Sequence, residues 1–302
     1  MRASGTVLCL ASGSAFGAMA VFDKLAYGEG VTVGTLLAVR FALAAVLFWA
    51  IVLAGGALRD VRALGRRDLA LGVGLGACGY AAQSGCYFAA LQRIDASLLS
   101  LLLYTFPAMV AAAAVALGRQ RLDSRRVAAL ALALGGLALV VAGAGTGTLD
   151  PVGAALAIAA AVVYTAYILV SDGAVGRMAP HLLSALVCTG AAVTLTIGSA
   201  AVGQLHPGAI TGAGWGWLGS LTAVSTVGAI LLFFSGLRRV GPTTASILAT
   251  VEPVVTVVLA FLVFGERLGG VQLAGGALVL SAVFVLNVRF ARRRLAVREA
   301  TA

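Results

Sequence analysis

The segment from Met178 to Leu237 has the sequence MAPHLLSALVCTGAAVTLTIGSAAVGQLHPGAITGAGWGWLGSLTAVSTVGAILLFFSGL, without a single Lys, Arg, Asp or Glu. Apolar runs of about 17 to 25 residues, long enough to cross a bilayer, recur along the rest of the chain, and the charges gather in the short gaps between them. A water-soluble domain of 302 residues has too little polar surface to cover so much apolar area. The sequence therefore predicts that the bilayer is the solvent of this chain.

The apolar runs predict helices. A backbone in hydrocarbon must satisfy its own hydrogen bonds, which leaves helices or a closed barrel. Barrel strands alternate polar and apolar residues, whereas these runs are apolar on every side and rich in Ala, Leu, Val and Gly. We therefore predict an all-α integral membrane protein with ten transmembrane helices. The predicted spans are 4–22, 32–54, 69–90, 97–117, 127–143, 153–171, 182–202, 215–237, 243–264 and 270–288.

The distribution of positive charge predicts the orientation. With ten spans, the gaps alternate between the two sides of the membrane. One side carries 17 of the 21 Lys and Arg residues, the other carries 3, and Arg40 lies inside a span. Cytoplasmic segments carry the excess of positive charge, so we expect a multi-pass protein of the cell inner membrane with both termini in the cytoplasm. The basic residues are spread over separate segments without interleaved aromatics, which argues against a nucleic-acid partner.

The two halves of the chain align without a gap over a long stretch, at an offset of 146 residues. The matched positions, given as first and second copy, include Ser100 and Ser246, Pro107 and Pro253, and Arg121-Leu122 and Arg267-Leu268. We predict a first five-helix repeat over 1–143, a second over 144–289 and a basic cytoplasmic tail over 290–302. Five spans per copy force the second copy to enter the membrane from the opposite side, so the repeats are predicted to be inverted.

Inverted repeats are typical of secondary transporters that work by alternating access, with a site near the membrane midplane between the repeats. One alternative is a duplicated membrane scaffold or sensor that transports nothing. A second is an intramembrane enzyme, against which stand the absence of His from the predicted spans and of any nucleotide-binding Gly-rich loop. The four cysteines lie within spans without CxxC spacing and indicate apolar filler, so neither a metal nor a cofactor is expected.

Five short motifs now become recognisable. They are Leu103-Tyr104-Thr105-Phe106-Pro107, Gly118-Arg119-Gln120-Arg121-Leu122, Gly241-Pro242-Thr243, Thr250-Val251-Glu252-Pro253-Val254-Val255 and Phe264-Gly265-Glu266-Arg267-Leu268. Together they resemble the signature of the EamA-like family within the drug/metabolite transporter superfamily, and the resemblance covers nearly the whole chain. It implies a ten-helix inner-membrane carrier, often an exporter of amino acids, metabolites or drugs. Gln120 departs from the family pattern, where Glu is expected, so the first copy lacks that carboxylate.

Arg40 and Glu252 are the two formal charges that the predicted spans place near the midplane. A lone charge at that depth costs about 2.5 kcal/mol or more, so each is expected to be paired or to face a watery cavity. One interpretation is a structural ion pair between them. The other is a substrate or coupling site, in which Glu252 exchanges protons or Arg40 receives a carboxylate.

Further candidate residues lie on polar helix faces, which we expect to turn inwards because lipid offers no hydrogen bonds. Pro107 and Pro253 are predicted to kink their helices by removing a backbone hydrogen bond. The polar faces of spans four and nine carry Ser97, Ser100 and Tyr104, and Thr243, Ser246 and Thr250. Those of spans three and six carry Tyr80, Gln83, Ser84 and Tyr87, and Tyr164, Tyr167 and Ser171.

The sequence thus predicts a secondary transporter that exports a small metabolite, amino acid or drug across the inner membrane. A small-molecule substrate and the lipid bilayer are its expected partners, and protons are the candidate coupling ion. Within the candidate site, small hydroxyls are also common as contacts between helices. The Tyr and Gln residues are the better candidates for lining a cavity.

Overall fold

A computed structural model of the chain describes residues 2–56, 61, 64–118, 124–143, 150–175, 178–240 and 248–299. These residues are mostly helical and include no β-strand. The helices of the first half are α1 (Arg2–Gly17), α2 (Met19–Gly28), α3 (Val33–Ala54), α4 (Arg66–Gly74), α5 (Ala81–Leu91), α6 (Ala96–Leu103), α7 (Phe106–Ala116) and α8 (Ser124–Gly143). Those of the second half are α9 (Pro151–Val175), α10 (Pro180–Ala201), α11 (Gly212–Thr222), α12 (Ala229–Val240), α13 (Val251–Phe264) and α14 (Gly270–Glu299).

All ten predicted runs contain helix, and the all-helical membrane class is confirmed. Among the described residues, six helical stretches are long and apolar enough to cross a membrane. They are Ser4–Gly28, Val33–Ala54, Ala96–Ala116, Pro151–Val170, Pro180–Ala201 and Gly212–Phe233. Shorter apolar helices cover Val127–Gly143, Val251–Phe264 and Gly270–Val285. The third predicted run lies on α4 and α5 and is not one of these spans, so the count of ten crossings stays a prediction.

Two π-helical turns interrupt helices that correspond in the two halves. One spans Leu75–Tyr80 between α4 and α5, and the other spans Ala223–Gly228 between α11 and α12. At the 146-residue offset Tyr80 corresponds to Thr226, so the two turns overlap in the repeat alignment. Such turns widen a helix locally and occur frequently at functional sites.

The core lies around α6, in which every residue from Ala96 to Leu103 is buried. Helix α6 packs against α9 and α13, and α1 packs against α12 and α13. The pairs α3–α10 and α8–α14 form the other large helix contacts. These contacts bring helices from both halves of the chain together at the centre of the bundle.

Local sequence explains several helix ends. The side chains of Thr32 and Thr211 lie at the N-caps of α3 and α11 and accept hydrogen bonds from the backbone N–H of Thr35 and Gly214. Gly265 ends α13 in the left-handed conformation, with φ of 69°, which costs glycine no steric strain. The sharp stop after Phe264 places Glu266 in the short connection to α14.

The outer surface of the bundle is apolar, as a lipid-facing surface must be. Large apolar side chains stand 63 to 68% exposed on four different helices, at Val46, Leu134, Ile197 and Leu262. A water-soluble monomer rarely exposes so much contiguous apolar surface. This pattern agrees with the predicted membrane environment.

Candidate functional site

Tyr104 and Glu252 meet at the centre of the bundle, where α6 from the first half packs on α13 from the second. The Tyr104 hydroxyl lies 2.9 Å from Glu252 Oε2 and 2.8 Å from the backbone carbonyl of Ala249. Pro253 has no N–H to offer that carbonyl, which lies four residues before it. The Tyr104 hydroxyl therefore serves a backbone acceptor that the proline leaves without its usual helical donor.

The hydrogen-bonding capacity of this group links its geometry to protonation. A tyrosine hydroxyl has one hydrogen and can donate it to only one of the two acceptors. All three groups are satisfied when Glu252 is protonated, because its O–H then donates to Tyr104 while Tyr104 donates to Ala249. An ionised Glu252 instead competes with the carbonyl for the same hydrogen. The arrangement can therefore respond to gain or loss of one proton at Glu252.

Both prolines follow a break in their helix. Tyr104 and Thr105 interrupt the helix between α6 and α7, and Pro107 lies in the first turn of α7. Thr250 precedes α13, and Pro253 lies in the first turn of that helix. The sequence predicted that both prolines kink their helices. The structure has a turn just before each proline, at Tyr104 and Thr105 within the helical stretch Ala96–Ala116 and at Thr250 before α13.

Arg40 is buried, with 2% of its surface exposed, and does not contact Glu252. Its Nε donates to the Thr226 hydroxyl at 2.9 Å, and its Nη2 lies 3.1 Å from the sulfur of Met19. The guanidinium also stacks between two aromatic rings, at 5.2 Å from Phe41 and 5.1 Å from Phe88. The direct Arg40–Glu252 ion pair considered from the sequence is thus not formed.

Asp23 is a buried charged residue that the sequence analysis missed. The first span was predicted to end at residue 22, but α2 continues to Gly28, and Asp23 has no exposed surface. Among the described residues, neither of its carboxylate oxygens has a hydrogen-bond partner. Arg40 is the cation that acts on it electrostatically. The interior of the bundle therefore holds a third ionisable group besides Arg40 and Glu252.

The position of Asp23 follows from its neighbours on α2. Met19 and Tyr27, one turn on either side, share its helix face. Met19 contacts Arg40, and the Tyr27 hydroxyl donates to the carbonyl of Phe88 at 3.2 Å. Asp23 therefore faces the space bounded by Arg40 and Phe88. The signal available in the sequence was the run Leu25-Ala26-Tyr27 after the two charges, before Gly28 and Gly30.

A continuous set of aromatic rings connects the Glu252 group to the Arg40 group. Successive ring centroids along this path lie 5.7, 4.7, 6.2, 5.7 and 5.2 Å apart, through Tyr104, Phe106, Tyr164, Tyr167, Tyr80 and Phe41. Four of these residues are the predicted cavity tyrosines. The structure thus brings the tyrosines of spans three, four and six together, although they are far apart in the sequence.

The remaining predicted site residues differ in burial, and some lie outside the described part of the chain. Tyr87 is buried, and its hydroxyl lies within electrostatic range of Asp23, Glu252 and Arg40. Ser100 and Thr250 are also buried. Gln83 is half-buried, and its side-chain carbonyl lies 3.4 Å from the Ser84 hydroxyl. Ser246 and Thr243 lie outside the described residues, as does the side chain of Ser171.

Thr226 is a contact residue that reasoning from polar faces did not select. Its hydroxyl accepts from Arg40 and lies 3.2 Å from the carbonyl of Leu221, which is five residues earlier, in the last turn of α11. The repeat alignment contained the signal, because Thr226 corresponds to Tyr80 at the 146-residue offset. Both equivalents end up beside the Arg40–Phe41 segment.

An open groove of about 360 Å³ lies elsewhere, between α3, the first π-helical turn, α5 and α10, and is lined among others by Leu37, Cys78, Leu195 and Gln204. It contains none of the predicted site residues. The central cluster of charged and aromatic side chains is therefore the better candidate site. In the described part of the chain, no group of three or more His, Cys, Asp or Glu residues is arranged to hold a metal ion.

A multi-helical apolar bundle with charged and aromatic groups buried at its centre is the architecture of a polytopic membrane protein with an internal polar site. The chain belongs to the EamA-like transporter family, which matches residues 3–142 and again residues 151–288. This confirms the resemblance inferred from the short motifs. The protein is accordingly a multi-pass membrane transporter.

Two curated relatives carry transporter names. "Uncharacterized transporter YcbK" of Bacillus subtilis (strain 168) is 27% identical over 281 residues, which cover 90% of this chain and 89% of the relative. An "Uncharacterized transporter" of Archaeoglobus fulgidus is 29% identical over 281 residues, which cover 93% of this chain and 95% of the relative. A solved crystal structure has the same fold, with a TM-score of 0.68 at 20% identity, covering 97% of this chain and 99% of that one.

Proposed function

We propose that this transporter is a secondary carrier that works by alternating access and is built from two inverted five-helix repeats. It exports a small metabolite, amino acid or drug across the inner membrane, with both termini in the cytoplasm. The substrate occupies the central space lined by the tyrosine path, between Arg40 at one end and Glu252 at the other. Rocking of one repeat against the other exposes this space to either side in turn.

The observation that carries the proposal is the contact of Tyr104 with both Glu252 and the Ala249 carbonyl. It joins α6 of the first repeat to α13 of the second, at two helix breaks that correspond in the repeat alignment. When the carboxyl group of Glu252 is protonated, it donates to Tyr104, and Tyr104 can donate to the Ala249 carbonyl, so every group has a partner. Opening of the site to water on one side would stabilise the ionised form and release the proton, because hydration favours charge.

Flux into proteoliposomes, with and without a pH gradient and across a panel of small solutes, tests this function. Glu252→Gln keeps the shape of the side chain and its hydrogen bond to Tyr104, but removes the exchangeable proton. We expect this variant to reach the membrane at near-normal levels, to lose concentrative pH-driven flux and to retain exchange of solute for solute.

The matched control is Glu29→Gln, which makes the same substitution at an exposed carboxylate that accepts a hydrogen bond from Thr211 at 2.6 Å. It should leave flux and its pH dependence unchanged. Normal pH-driven flux in Glu252→Gln would refute the coupling role. If no solute moves through the unsubstituted protein, the alternative of a scaffold or sensor is favoured over the carrier.

A further inference from the structure

Glu266, in the connection between α13 and α14, ties three segments of the chain together. It accepts a hydrogen bond from Lys24 Nζ of α2 at 2.6 Å. It also accepts from the backbone N–H groups of Ala96 and Ser97 at 3.3 and 3.1 Å, and from the Ser97 hydroxyl at 3.1 Å, all at the start of α6. The side chain of Glu266 is only 7% exposed and that of Lys24 21%. We call these residues the outer cluster.

The charges around Glu266 stabilise its ionised form. Burial by itself acts to raise the pKa of Glu266, but the hydrogen bond and charge of Lys24 and the N–H groups of Ser97 and Ala96 outweigh it and hold that pKa below its ordinary value. The helix N-terminus and the lysine both favour a negative charge at this point. Asp95 adds a second acid 4.0 Å from Lys24, and its pKa is raised by burial and by Glu266. Lys24 also lies over the ring of Phe264, at 5.6 Å.

The outer cluster has no sequence counterpart in the other repeat. At the offset of 146 residues Glu266 corresponds to Gln120, which carries no charge. The segment Phe22-Asp23-Lys24 aligns with Ser171-Asp172-Gly173 at an offset of 149, so Lys24 corresponds to a glycine. In an inverted repeat these counterparts lie on the opposite side of the membrane. The sequence counterparts of both partners therefore carry no charge.

We propose that Lys24 and Glu266 form an ionic lock that holds the outer side of the carrier closed, and that the missing counterpart makes this closed state the resting one. The proposal rests on the alternating-access function proposed above. Opening the outer side requires α2 to separate from the start of α6 and from the α13–α14 connection. The same helix carries Asp23, on which Arg40 acts electrostatically, so the movement that breaks the lock also changes the separation of these two side chains.

Access to a buried cysteine on α6 tests the lock. The reporter is Ser100→Cys in a chain whose four native cysteines are replaced by alanine; Ser100 is 5% exposed and lies one turn deeper than Ser97. Right-side-out membrane vesicles are treated with a membrane-impermeant maleimide. We expect Glu266→Gln and Lys24→Gln each to raise the labelling rate roughly tenfold. This corresponds to destabilisation of the closed state by about 1.4 kcal/mol.

Two comparisons separate the ion pair from helix capping and from surface charge. Lys24→Gln leaves the bonds from Glu266 to α6 in place, so a rise in Glu266→Gln alone would show that capping holds the closed state and would overturn the ionic lock. Asp150→Asn breaks the exposed pair between Arg93 and Asp150 and should leave labelling unchanged. Lys24→Gln decides the question by itself if Glu266→Gln does not fold, because it removes the ion pair and leaves the cap in place. Rates are taken only from variants that are monodisperse on extraction.

The pH dependence has a definite sign. The pKa of Glu266 is depressed, so the lock is fully present above the ordinary pKa of a glutamate and is lost only as the pH falls through the lower value in the folded protein. The other charged groups facing Glu266 or next to it are Asp95, Lys24 and Arg267. Protonation of Asp95 as the pH falls removes a competitor for Lys24, so it does not weaken the lock. Because maleimide reacts with the thiolate, each rate is divided by that of the same cysteine in denatured protein at the same pH. This ratio should stay constant from about pH 8 to about pH 5, and a steep rise of the ratio as the pH falls within that range would contradict the lock.

The labelling result is independent of the transport result. Raised labelling in both variants, with no flux of any solute through the unsubstituted chain, supports the lock and refutes the carrier. Normal pH-driven flux with unchanged labelling in both variants supports the carrier and overturns the lock.

Discussion

Glu252 and the Ala249 carbonyl compete for the single hydroxyl hydrogen of Tyr104. Tyr104→Phe keeps the edge contact with the Phe106 ring at 5.7 Å but leaves both acceptors without this donor. Loss of a buried hydrogen-bond donor costs about 1–3 kcal/mol. We expect normal membrane insertion, a modest drop in thermal stability and a shifted pH profile of flux. An unchanged pH profile would show that the hydroxyl serves only the backbone carbonyl.

Arg40 and Asp23 should depend on one another for folding. Neither carboxylate oxygen of Asp23 has a hydrogen-bond partner among the described residues, and Arg40 is the cation that acts on it electrostatically. Removal of Arg40 therefore leaves a buried carboxyl group without this compensating charge. Arg40→Met should therefore lower the melting temperature and the yield of folded protein sharply. The added substitution Asp23→Asn should restore much of both. Glu252→Gln in place of Asp23→Asn provides the matched control, and equal rescue by either would show that Arg40 compensates the whole interior and not Asp23 in particular.

The sequence identified Arg40, Glu252 and the central tyrosines because charges and large polar groups are conspicuous in apolar runs. It could not identify their partners, since Thr226 lies 186 residues from Arg40 and Tyr104 lies 148 residues from Glu252. Asp23 was missed for a local reason. A charged residue one position past the predicted end of a span looks like a loop residue, especially when a second charge, Lys24, follows it, whereas the helix α2 continues for five more positions.

At the scale of helices, apolar run length predicted where helix would occur but not how it would be interrupted. The breaks at Tyr104 and at Thr250 were anticipated only as proline kinks. The π-helical turns at Leu75–Tyr80 and Ala223–Gly228 were not predicted. The apolar pattern of one segment does not show how that segment packs against other helices. The sequence likewise did not predict which helices pack together, apart from the expectation that small residues allow two helices to approach each other closely.

The crossing of α8 and α14 gives a test of that expectation. A Cβ added at Gly136 would lie 2.6 Å from the Gly275 carbonyl oxygen and 2.8 Å from a methyl group of Val279. Gly136→Ala should therefore force the helices apart and destabilise the protein by about 1–3 kcal/mol. Its neighbour Gly135 has nothing within 4 Å of such a Cβ, so Gly135→Ala should be neutral or slightly stabilising. Melting temperatures of the two variants in the same detergent test this prediction. Gly136→Ala should melt at the lower temperature, and equal values would contradict the close crossing.

At the scale of the whole molecule, contacts between gaps support the predicted alternation of sides. Residues from the gaps after the first, third, fifth, seventh and ninth spans bond to one another or to adjoining helix ends. These contacts join Lys24 to Glu266, Arg93 to Asp150, Glu29 to Thr211 and Thr35 to Gln204. On the other side, a Cβ at Gly5 would lie 2.7 Å from the Arg239 side chain, so the N-terminal helix begins beside the eighth gap.

The charge bias then assigns the two faces, because 17 positive residues lie on one and 3 on the other. Segments rich in Lys and Arg stay in the cytoplasm, so we expect Arg59–Asp68 and both termini there. In a cysteine-free background, Arg67→Cys should resist an impermeant maleimide in intact cells and react after permeabilisation. His206→Cys, an exposed position in the seventh gap, should react in intact cells. Labelling of Arg67→Cys from outside would invert the orientation and would move the Lys24–Glu266 lock to the cytoplasmic side, where it would hold the opposite gate.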